Sequence, residues 1–296
     1  MRTRLLISLL SALLPVLAGA QVMKYDREAA SFNEALPLGN GHIGAMVHGG
    51  VADDLINLNE STLWGGSGAD NNPQPDGPEI LRQVREALFA EDWEGARKLL
   101  VPLQGPNASA FLPMGNLHIR QTYQVPRGPV EDTGESYLRT LDLGTAVATT
   151  EIVRNGIKYT REYFVSYPDR VMVIRLTASR RGALNFSLDG DSPWRGVKVE
   201  GVSDNEFTVS GQLGYRMGTD GQYPYVWEGP YGEKGIRYQY RVKLVDCDGE
   251  AYTAPGLRVS RATTAVVLVS AATSFAGFDR DPTSTAWTRR PWRSSG

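Results

Sequence analysis

Apolar and polar residues alternate with the two-residue period of a β-strand along most of the chain. The clearest segment is VATTEIVRNGIKYTREYFVSYPDRVMVIRLTAS, where β-branched and aromatic residues alternate with polar ones on both sides of Asn155-Gly156. Asn-Gly predicts a tight hairpin because both residues tolerate positive φ. Pro168-Asp169 predicts a second turn. Further strands are predicted over ALNFSLDGD, EFTVSGQL, IRYQYRVKLVD, GLRVSRAT and AVVLVSAATSF.

One insertion near residues 78–101 has helical periodicity instead. Its first apolar face is formed by Ile80, Leu81, Val84 and Leu88, and a second short helix is indicated by Trp93, Ala96, Leu99 and Leu100. Asp92 is placed to cap that second helix. Many short strands and one small helical insertion predict a mainly β fold, a two-sheet antiparallel β-sandwich in which the sheets pack face to face.

The two ends of the chain differ from this pattern. MRTR followed by LLISLLSALLPVLAGA, with Ala18 and Ala20 as an A-x-A site, is typical of a secretory signal peptide. Cleavage is predicted after Ala20, which makes the protein secreted or periplasmic. The tail, residues 283–296, has no periodicity and is predicted to pack against nothing. The predicted organisation is therefore a signal peptide over 1–20, a β-sandwich domain over 21–282 and an unstructured tail.

Composition narrows the function classes. The 296 residues are 41% hydrophobic, enough for a sizeable core, and the single cysteine, Cys247, has no partner in the chain for a disulfide. The net charge is −2 and the basic residues are scattered. We therefore expect neither nucleic acid nor an anionic membrane surface as a partner.

The segment GNGHIG, residues 39–44, has the G-x-G-x-x-G spacing of a dinucleotide-binding turn. Such a turn requires a buried strand before it and a helix after it. Here Gly49 and Gly50 fall where the helix should continue, and an exported protein has little access to NAD. No cofactor is predicted. The segment is interpreted as a glycine-rich turn feeding a strand, with the turn made by Gly39, Asn40, Gly41 and Gly44.

The remaining motifs give little catalytic chemistry. His42, His48 and His118 lack the spacing of metal ligands and are interpreted as structural, so no metal site is predicted. Cys247 lies between Asp246 and Asp248, whose charges raise a thiol pKa, and is interpreted as inert.

The stretch INLNESTLWGG has the side chains of a sugar-contacting loop. Side-chain amides can hydrogen-bond to sugar hydroxyls, and an indole can stack on a pyranose ring. We predict a substrate-contacting or interface loop formed by Asn57, Asn59, Glu60 and Trp64. The alternative is an ordinary turn in which Asn and Ser bond their own backbone and Trp64 fills the core.

Five segments together resemble glycoside hydrolase family 95. They are NEALPLGNGHIGAMVHGGVADDLINLNESTLWGG, FLPMGNLHI, YLRTLDLGTAVATTEI, YTREYFVSYPDRVMVIRLTAS and SAATSFAGFDRDP, and they extend to about Pro282. The family includes α-L-fucosidases that act on terminal α-1,2-linked fucose, and some α-L-galactosidases. The resemblance implies an N-terminal β-supersandwich.

In that family the catalytic acid and base lie in a following (α/α)6 barrel, and the reaction inverts the anomeric centre. The resemblance therefore implies no catalytic residue within this chain, which is expected to be inactive alone. It implies the barrel as the domain's partner and terminal α-L-fucosyl glycans as the substrate of the longer enzyme. Two alternatives stay open: a free-standing carbohydrate-binding β-sandwich that presents an exposed aromatic platform, and a scaffold that only covers a partner domain.

Overall fold

A computed structural model describes residues 21–65, 76–104, 111–124, 134–194, 196–213 and 235–277. The predicted signal peptide and the predicted tail lie outside these residues. The described parts belong to two compact units. One unit draws on Met1–Leu63, Pro113–Gln212 and Tyr238–Thr273, and the other on Trp64–Leu112, Leu213–Arg237 and Ser274–Gly296.

The first unit is a β-sandwich, as the sequence predicted. Its sixteen described strands are β1 Val22–Tyr25, β2 Leu36–Gly39, β3 Ile43–Val47, β4 Asp53–Glu60, β5 Gly115–Thr122, β6 Ser136–Asp142, β7 Val147–Arg154, β8 Ile157–Ser166, β9 Val171–Ala178, β10 Leu184–Asp191, β11 Lys198–Ser203, β12 Glu206–Gln212, β13 Arg237–Cys247, β14 Glu250–Ala254, β15 Gly256–Ala262 and β16 Thr264–Thr273. A 3-10 turn, Phe32–Glu34, precedes β2.

These strands form two sheets. The nine-stranded sheet has the order β1-β6-β7-β8-β9-β16-β13-β12-β11, and the seven-stranded sheet has the order β14-β15-β10-β5-β4-β3-β2. The strand registers described in both sheets are antiparallel. The strand β2 is one edge of the seven-stranded sheet, and its Pro37 pairs with Met46 of β3. The parallel order that dinucleotide-binding folds require does not occur in these registers.

Both predicted turns are present. Asn155 and Gly156 have φ of 52° and 69° and join β7 to β8, whose pairing closes at Arg154 and Ile157. Both residues are left-handed, as a type I′ hairpin requires. Residues 167–170, which include Pro168 and Asp169, form the turn between β8 and β9.

The core lies between the inner faces of the two sheets. Strand β4 contributes Ile56 and Leu58, and β16 contributes Val267 and Val269, all fully or almost fully buried. Each alternates with exposed or half-buried neighbours, so the two-residue period of the sequence corresponds directly to inside and outside.

Tyrosines of the nine-stranded sheet fill much of this core and bond across it. Tyr240 donates its hydroxyl to the carbonyl oxygen of Asn116 in the other sheet at 2.6 Å. Tyr163 donates to Asp54, and Tyr137 donates to the carbonyl of Gly49 at 2.6 Å. Each phenol therefore adds buried apolar area and also satisfies a buried acceptor.

The second unit contains the helical insertion. Helix α1 is Gly77–Phe89, helix α2 is Trp93–Leu100, and a 3-10 turn, Val101–Gln104, follows. Asp92 caps α2 as predicted, because its carboxylate accepts from the backbone N–H of Gly95 at 2.8 Å. Among the described helices, none has the length and apolar character needed to cross a bilayer.

The buried phenols make the fold sensitive to alkali. Burial raises the pKa of Tyr163 well above its ordinary value, raises that of Tyr240 and raises that of Tyr238 to about 12. Since an unfolded tyrosine ionises near pH ~10, the folded chain holds these protons more tightly. Their contribution to stability is complete below that pH and is lost as pH rises through the folded pKa values.

We therefore expect the chain to unfold cooperatively between about pH 10 and 12, with tyrosinate absorbance and loss of near-ultraviolet circular dichroism rising together. Replacing Tyr167, which is largely exposed, by Phe should leave this midpoint unchanged. Ionisation of all tyrosines while the near-ultraviolet signal is still native would contradict the prediction.

Candidate functional site

The glycine-rich segment is a hairpin turn between β2 and β3. Gly39 pairs with Gly44, and Gly41 takes a left-handed φ of +81°. The Asn40 side chain closes the turn because its Oδ1 accepts from the backbone N–H of His42 at 2.9 Å and of Ile43 at 2.8 Å. The segment is therefore a turn that leads from β2 into β3.

The predicted loop from Asn57 to Trp64 is in large part a strand. Asn57, Asn59 and Glu60 belong to β4, where Glu60 pairs with Ile43 and Asn59 with Gly44. The loop assignment was wrong because the alternation DDLINLNE continues through these polar residues without a break. Asn57 and Asn59 are half-buried outward positions, and Glu60 is an inward position that is 1% exposed.

The Glu60 carboxylate is held by an array of donors. Its Oε2 accepts from the backbone N–H of Thr62 at 2.9 Å and from the Thr62 hydroxyl at 2.5 Å. Its Oε1 accepts from Ser61 at 3.3 Å and lies 2.8 Å from Nδ1 of His42. Thr273, at the end of β16, places its hydroxyl 2.5 Å from that of Thr62. We call His42, Glu60, Ser61, Thr62 and Thr273 the Glu60 cluster.

Trp64 does not fill the core. It is 44% exposed and forms an isolated bridge with Phe111, which is 48% exposed. The two ring centroids are 5.3 Å apart with an interplanar angle of 48°. Leu63, the preceding residue, is fully buried instead. Phe111 was not predicted, because FLPMGN carries no turn or periodicity signal that sets it apart.

A second inward carboxylate lies at the other end of β4. The Asp54 side chain is completely buried, and its Oδ1 accepts from the backbone N–H groups of Gly49 at 2.7 Å and Gly50 at 3.0 Å. Its Oδ2 accepts from the Tyr163 hydroxyl and lies 3.4 Å from Nη1 of Arg161. Asp54 therefore joins the β3–β4 connection to β8 of the opposite sheet.

Arg161 completes this buried network. It is 1% exposed and donates to the carbonyl oxygens of Gly50 at 2.6 Å and Val51 at 2.9 Å. It also donates through Nε and Nη2 to Oε1 of Gln121 at 3.0 and 2.9 Å. Burial by itself lowers the pKa of Arg161, but the Tyr163 hydroxyl and the Asp54 carboxylate outweigh it and raise that pKa. The guanidinium stays charged, and we call Asp54, Arg161 and Tyr163 the interior ion pair network.

The sequence could have revealed this network. Asp54 stands at an inward position of DDLINLNE, and Arg161 at an inward position of IKYTREYF. A charged residue in register with core residues indicates a buried partner, because an unpaired buried charge is very unfavourable. Neither residue belongs to a motif with catalytic spacing.

Side chains on the outer face of the seven-stranded sheet form a continuous hydrogen-bonded row. At its centre His118 lies between two carboxylates, with Nδ1 3.0 Å from Asp53 and Nε2 3.1 Å from Asp191. Asn116 donates to Asp191 at 2.7 Å and accepts from Asn57 at 2.8 Å. The row continues through Arg120, Asp189 and Arg258 on one side and through His48 on the other.

The site residues predicted from the sequence therefore separate. Asn57 belongs to the outer row, Glu60 to the Glu60 cluster, and Trp64 pairs with Phe111 in the second unit. Cys247 is half-buried, and burial raises the pKa of its thiol, with Asp248 and Asp246 adding to the rise. That direction agrees with the inert thiol inferred from the sequence.

Comparison with known proteins gives one family and several relatives. A family model described as "Glycosyl hydrolase family 65, N-terminal domain" matches residues 23–277. The protein named "Alpha-L-fucosidase 2" from Arabidopsis thaliana is 28% identical over 264 residues, which are 86% of this chain and 30% of the relative.

Two fungal proteins, each named "Probable alpha-fucosidase A", also match. The one from Aspergillus oryzae is 29% identical over 52% of this chain and 21% of its own length. The one from Aspergillus niger is 32% identical over 60% of this chain and 22% of its own length. The chain thus spans less than a third of each of these relatives.

Two adjacent aspartates of β4 test the interior ion pair network. Asp54→Asn keeps an acceptor for Gly49 and Gly50 but leaves Arg161 buried without its counter-charge. We expect it to lower the free energy of unfolding by about 3–5 kcal/mol, as when one partner of a buried pair is removed.

Asp53→Asn is the matched control. Asp53 points outward and is 44% exposed in its pairs with His118 and Arg120. Because exposed ion pairs contribute little, Asp53→Asn should lower the free energy of unfolding by less than about 1 kcal/mol. Urea denaturation of both variants provides the measurement. Equal losses of unfolding free energy would show that the buried pair contributes no more to stability than the exposed pairs of Asp53.

Proposed function

The chain belongs to the family of glycosyl hydrolase family 65 N-terminal domains, and from this premise we propose that it is the N-terminal β-sandwich domain of an α-L-fucosidase. The proposed enzyme is like those of glycoside hydrolase family 95. Its substrates are glycans with a terminal α-L-fucosyl group, and it hydrolyses them with inversion. The catalytic acid and base belong to a following (α/α)6 barrel, which is the domain's partner within the longer protein.

The observation that carries this proposal is the extent of the match to named fucosidases. Similarity to the Arabidopsis protein covers 86% of this chain, and both fungal relatives carry the name alpha-fucosidase. The match follows the sandwich as a whole, since the family model covers residues 23–277.

The role proposed for this chain is structural and positioning. Among the residues that the structure describes, the buried carboxylates are bonded to other side chains. Asp54 bonds Tyr163 and Arg161, Glu60 bonds Thr62 and His42, and Glu206 forms ion pairs with Arg241 at 2.8 Å and Lys243 at 3.5 Å. A general acid for glycoside hydrolysis needs a carboxyl that can reach the leaving oxygen. We therefore propose that the chain alone does not turn over fucosides.

Export is part of the proposal. It rests on the basic start MRTR, the apolar run and the A-x-A site that ends at Ala20. Mass spectrometry of the chain produced with these residues in a bacterial host tests it. The mature product should begin at Gln21 and be found outside the cytoplasm.

A carbohydrate-binding module is the second candidate, and the Trp64–Phe111 pair favours it. Two half-exposed rings held at a fixed tilt offer apolar faces to a sugar ring, while the bridge between their backbones fixes the separation. This second function requires the isolated chain to bind a glycan, whereas the role as a domain of a longer enzyme does not.

A chimera tests the leading proposal. Residues 21–277 of this chain replace the matching segment of the Arabidopsis alpha-L-fucosidase 2. We expect the chimera to fold and to release fucose from an α-1,2-fucosylated oligosaccharide, while the isolated chain releases none. A folded but inactive chimera, or turnover by the isolated chain that an acid substitution abolishes, would overturn the proposal.

Substitution of the aromatic pair tests the second candidate. If the isolated chain binds the same oligosaccharide, Trp64→Ala should weaken the affinity about tenfold, equal to 1.4 kcal/mol. Tyr252→Ala, at a tyrosine that is 58% exposed, is the control and should have no effect. Calorimetry gives both values, and equal affinities of both variants and the parent would remove the aromatic pair from consideration.

A further inference from the structure

His42 differs from the other two histidines because its ring nitrogen Nε2 has no hydrogen-bond partner among the described residues. Both ring nitrogens of His118 face carboxylates, and His48, which is almost buried, uses Nε2 with Asn57. His42 places Nδ1 2.8 Å from Oε1 of Glu60 and is 33% exposed. Within the described ranges, no residue hydrogen-bonds to its Nε2.

The orientation of this imidazole is fixed from both ends. Its backbone N–H donates to Oδ1 of Asn40, and the Asn40 amide donates to the carbonyl of Ser166 at 2.7 Å. Its Nδ1 faces a carboxylate that is buried and bonded twice by Thr62. A buried carboxylate on one ring nitrogen sets the tautomer and directs the other nitrogen outward, so little further ordering is needed when a ligand binds.

We propose that the outward Nε2 of His42 binds a hydroxyl group of a neutral sugar. With Nδ1 protonated toward Glu60, Nε2 is an acceptor in the neutral ring and a donor in the imidazolium. A sugar hydroxyl is both donor and acceptor and therefore complements either form. The choice of an α-L-fucoside as that sugar rests on the proposed function.

The neighbouring groups favour this class of ligand over ions. The other members of the Glu60 cluster are hydroxyls, and Glu60 supplies a negative charge that opposes an anion. A metal ion would need several more ligands. No group of three or more His, Cys, Asp or Glu side chains suited to a metal occurs in the part of the chain that the structure describes.

In this proposal His42 is a binding residue and Glu60 is a positioning residue. Glu60 acts only through the ring that it orients. The two roles predict different results, because loss of His42 removes the contact, while loss of the Glu60 charge leaves the contact in place but frees the ring to turn.

Nitrogen NMR on the chain labelled with 15N-histidine tests the proposal directly. The three histidines give separate long-range 1H–15N correlations, so His48 and His118 are internal controls. We expect methyl α-L-fucopyranoside to shift the Nε2 resonance of His42 in a saturable way and to leave the other two histidines unchanged. Before sugar is added, the spectrum should show the proton of the neutral ring on Nδ1.

Two substitutions separate the roles. His42→Phe should abolish saturable binding. Because this variant has no His42 resonance, the backbone amide resonances of Asn40 and Thr62 would be used to monitor binding. Glu60→Gln should weaken binding about tenfold, by analogy with the roughly 10-fold or larger loss of metal affinity when a metal-binding histidine loses its carboxylate partner. Asp53→Asn, which removes a carboxylate from His118, is the matched control and should not alter binding. Circular dichroism confirms that each variant is folded.

The outcomes distinguish this inference from the proposed function. Absence of a saturable shift in the folded chain, or equal shifts at all three histidines, overturns the inference. In the chimera, fucose release that His42→Phe leaves unchanged in KM and kcat would also overturn it while the proposed function stands. A saturable His42 shift beside an inactive chimera would support the sugar site and reject the fucosidase assignment.

Discussion

The burial of the Asp54 carboxylate between the two sheets is the constraint on which much of the sandwich depends. A charge in a hydrophobic interior is tolerated only if every lone pair is satisfied and a counter-charge is close. Two glycine N–H groups, a tyrosine hydroxyl and the Arg161 guanidinium meet this requirement. These donors come from two separate parts of the chain, so the β3–β4 connection and β8 have to reach their native positions together.

The glycines of this connection follow from the same constraint. A Cβ on Gly50 would lie 2.0 Å from the carbonyl oxygen of Asp53, and one on Gly49 would lie 2.6 Å from the Arg139 side chain. Gly49 also has a left-handed φ of 70°. The glycine pair that weakened the nucleotide-binding interpretation is thus required for the backbone to approach the carboxylate and the arginines.

The fold was readable from the sequence to a greater extent than the site. Strand alternation and Asn155-Gly156 are local signals, and both the hairpin and the antiparallel sheets follow from them. The segment around Asn57 and Glu60 was misassigned because residue type was given more weight than register. Amides and acids suggest a loop by composition, yet the period of two places Asn57 outward and Glu60 inward. The alternation marks Asp54 and Arg161 each as an inward charge, but the two residues are far apart in the sequence, and no local pattern identifies them as partners.

The position of β2 at an edge of the seven-stranded sheet has a consequence for association between molecules. An exposed edge offers unpaired backbone groups to any other strand, which promotes aggregation. This edge is only four residues long, Leu36–Gly39, and Pro37 within it has no N–H to donate. A strand from another molecule could form only a few hydrogen bonds with this edge, because the edge is short and Pro37 interrupts its row of N–H donors. The chain thereby limits edge-to-edge polymerisation at this strand.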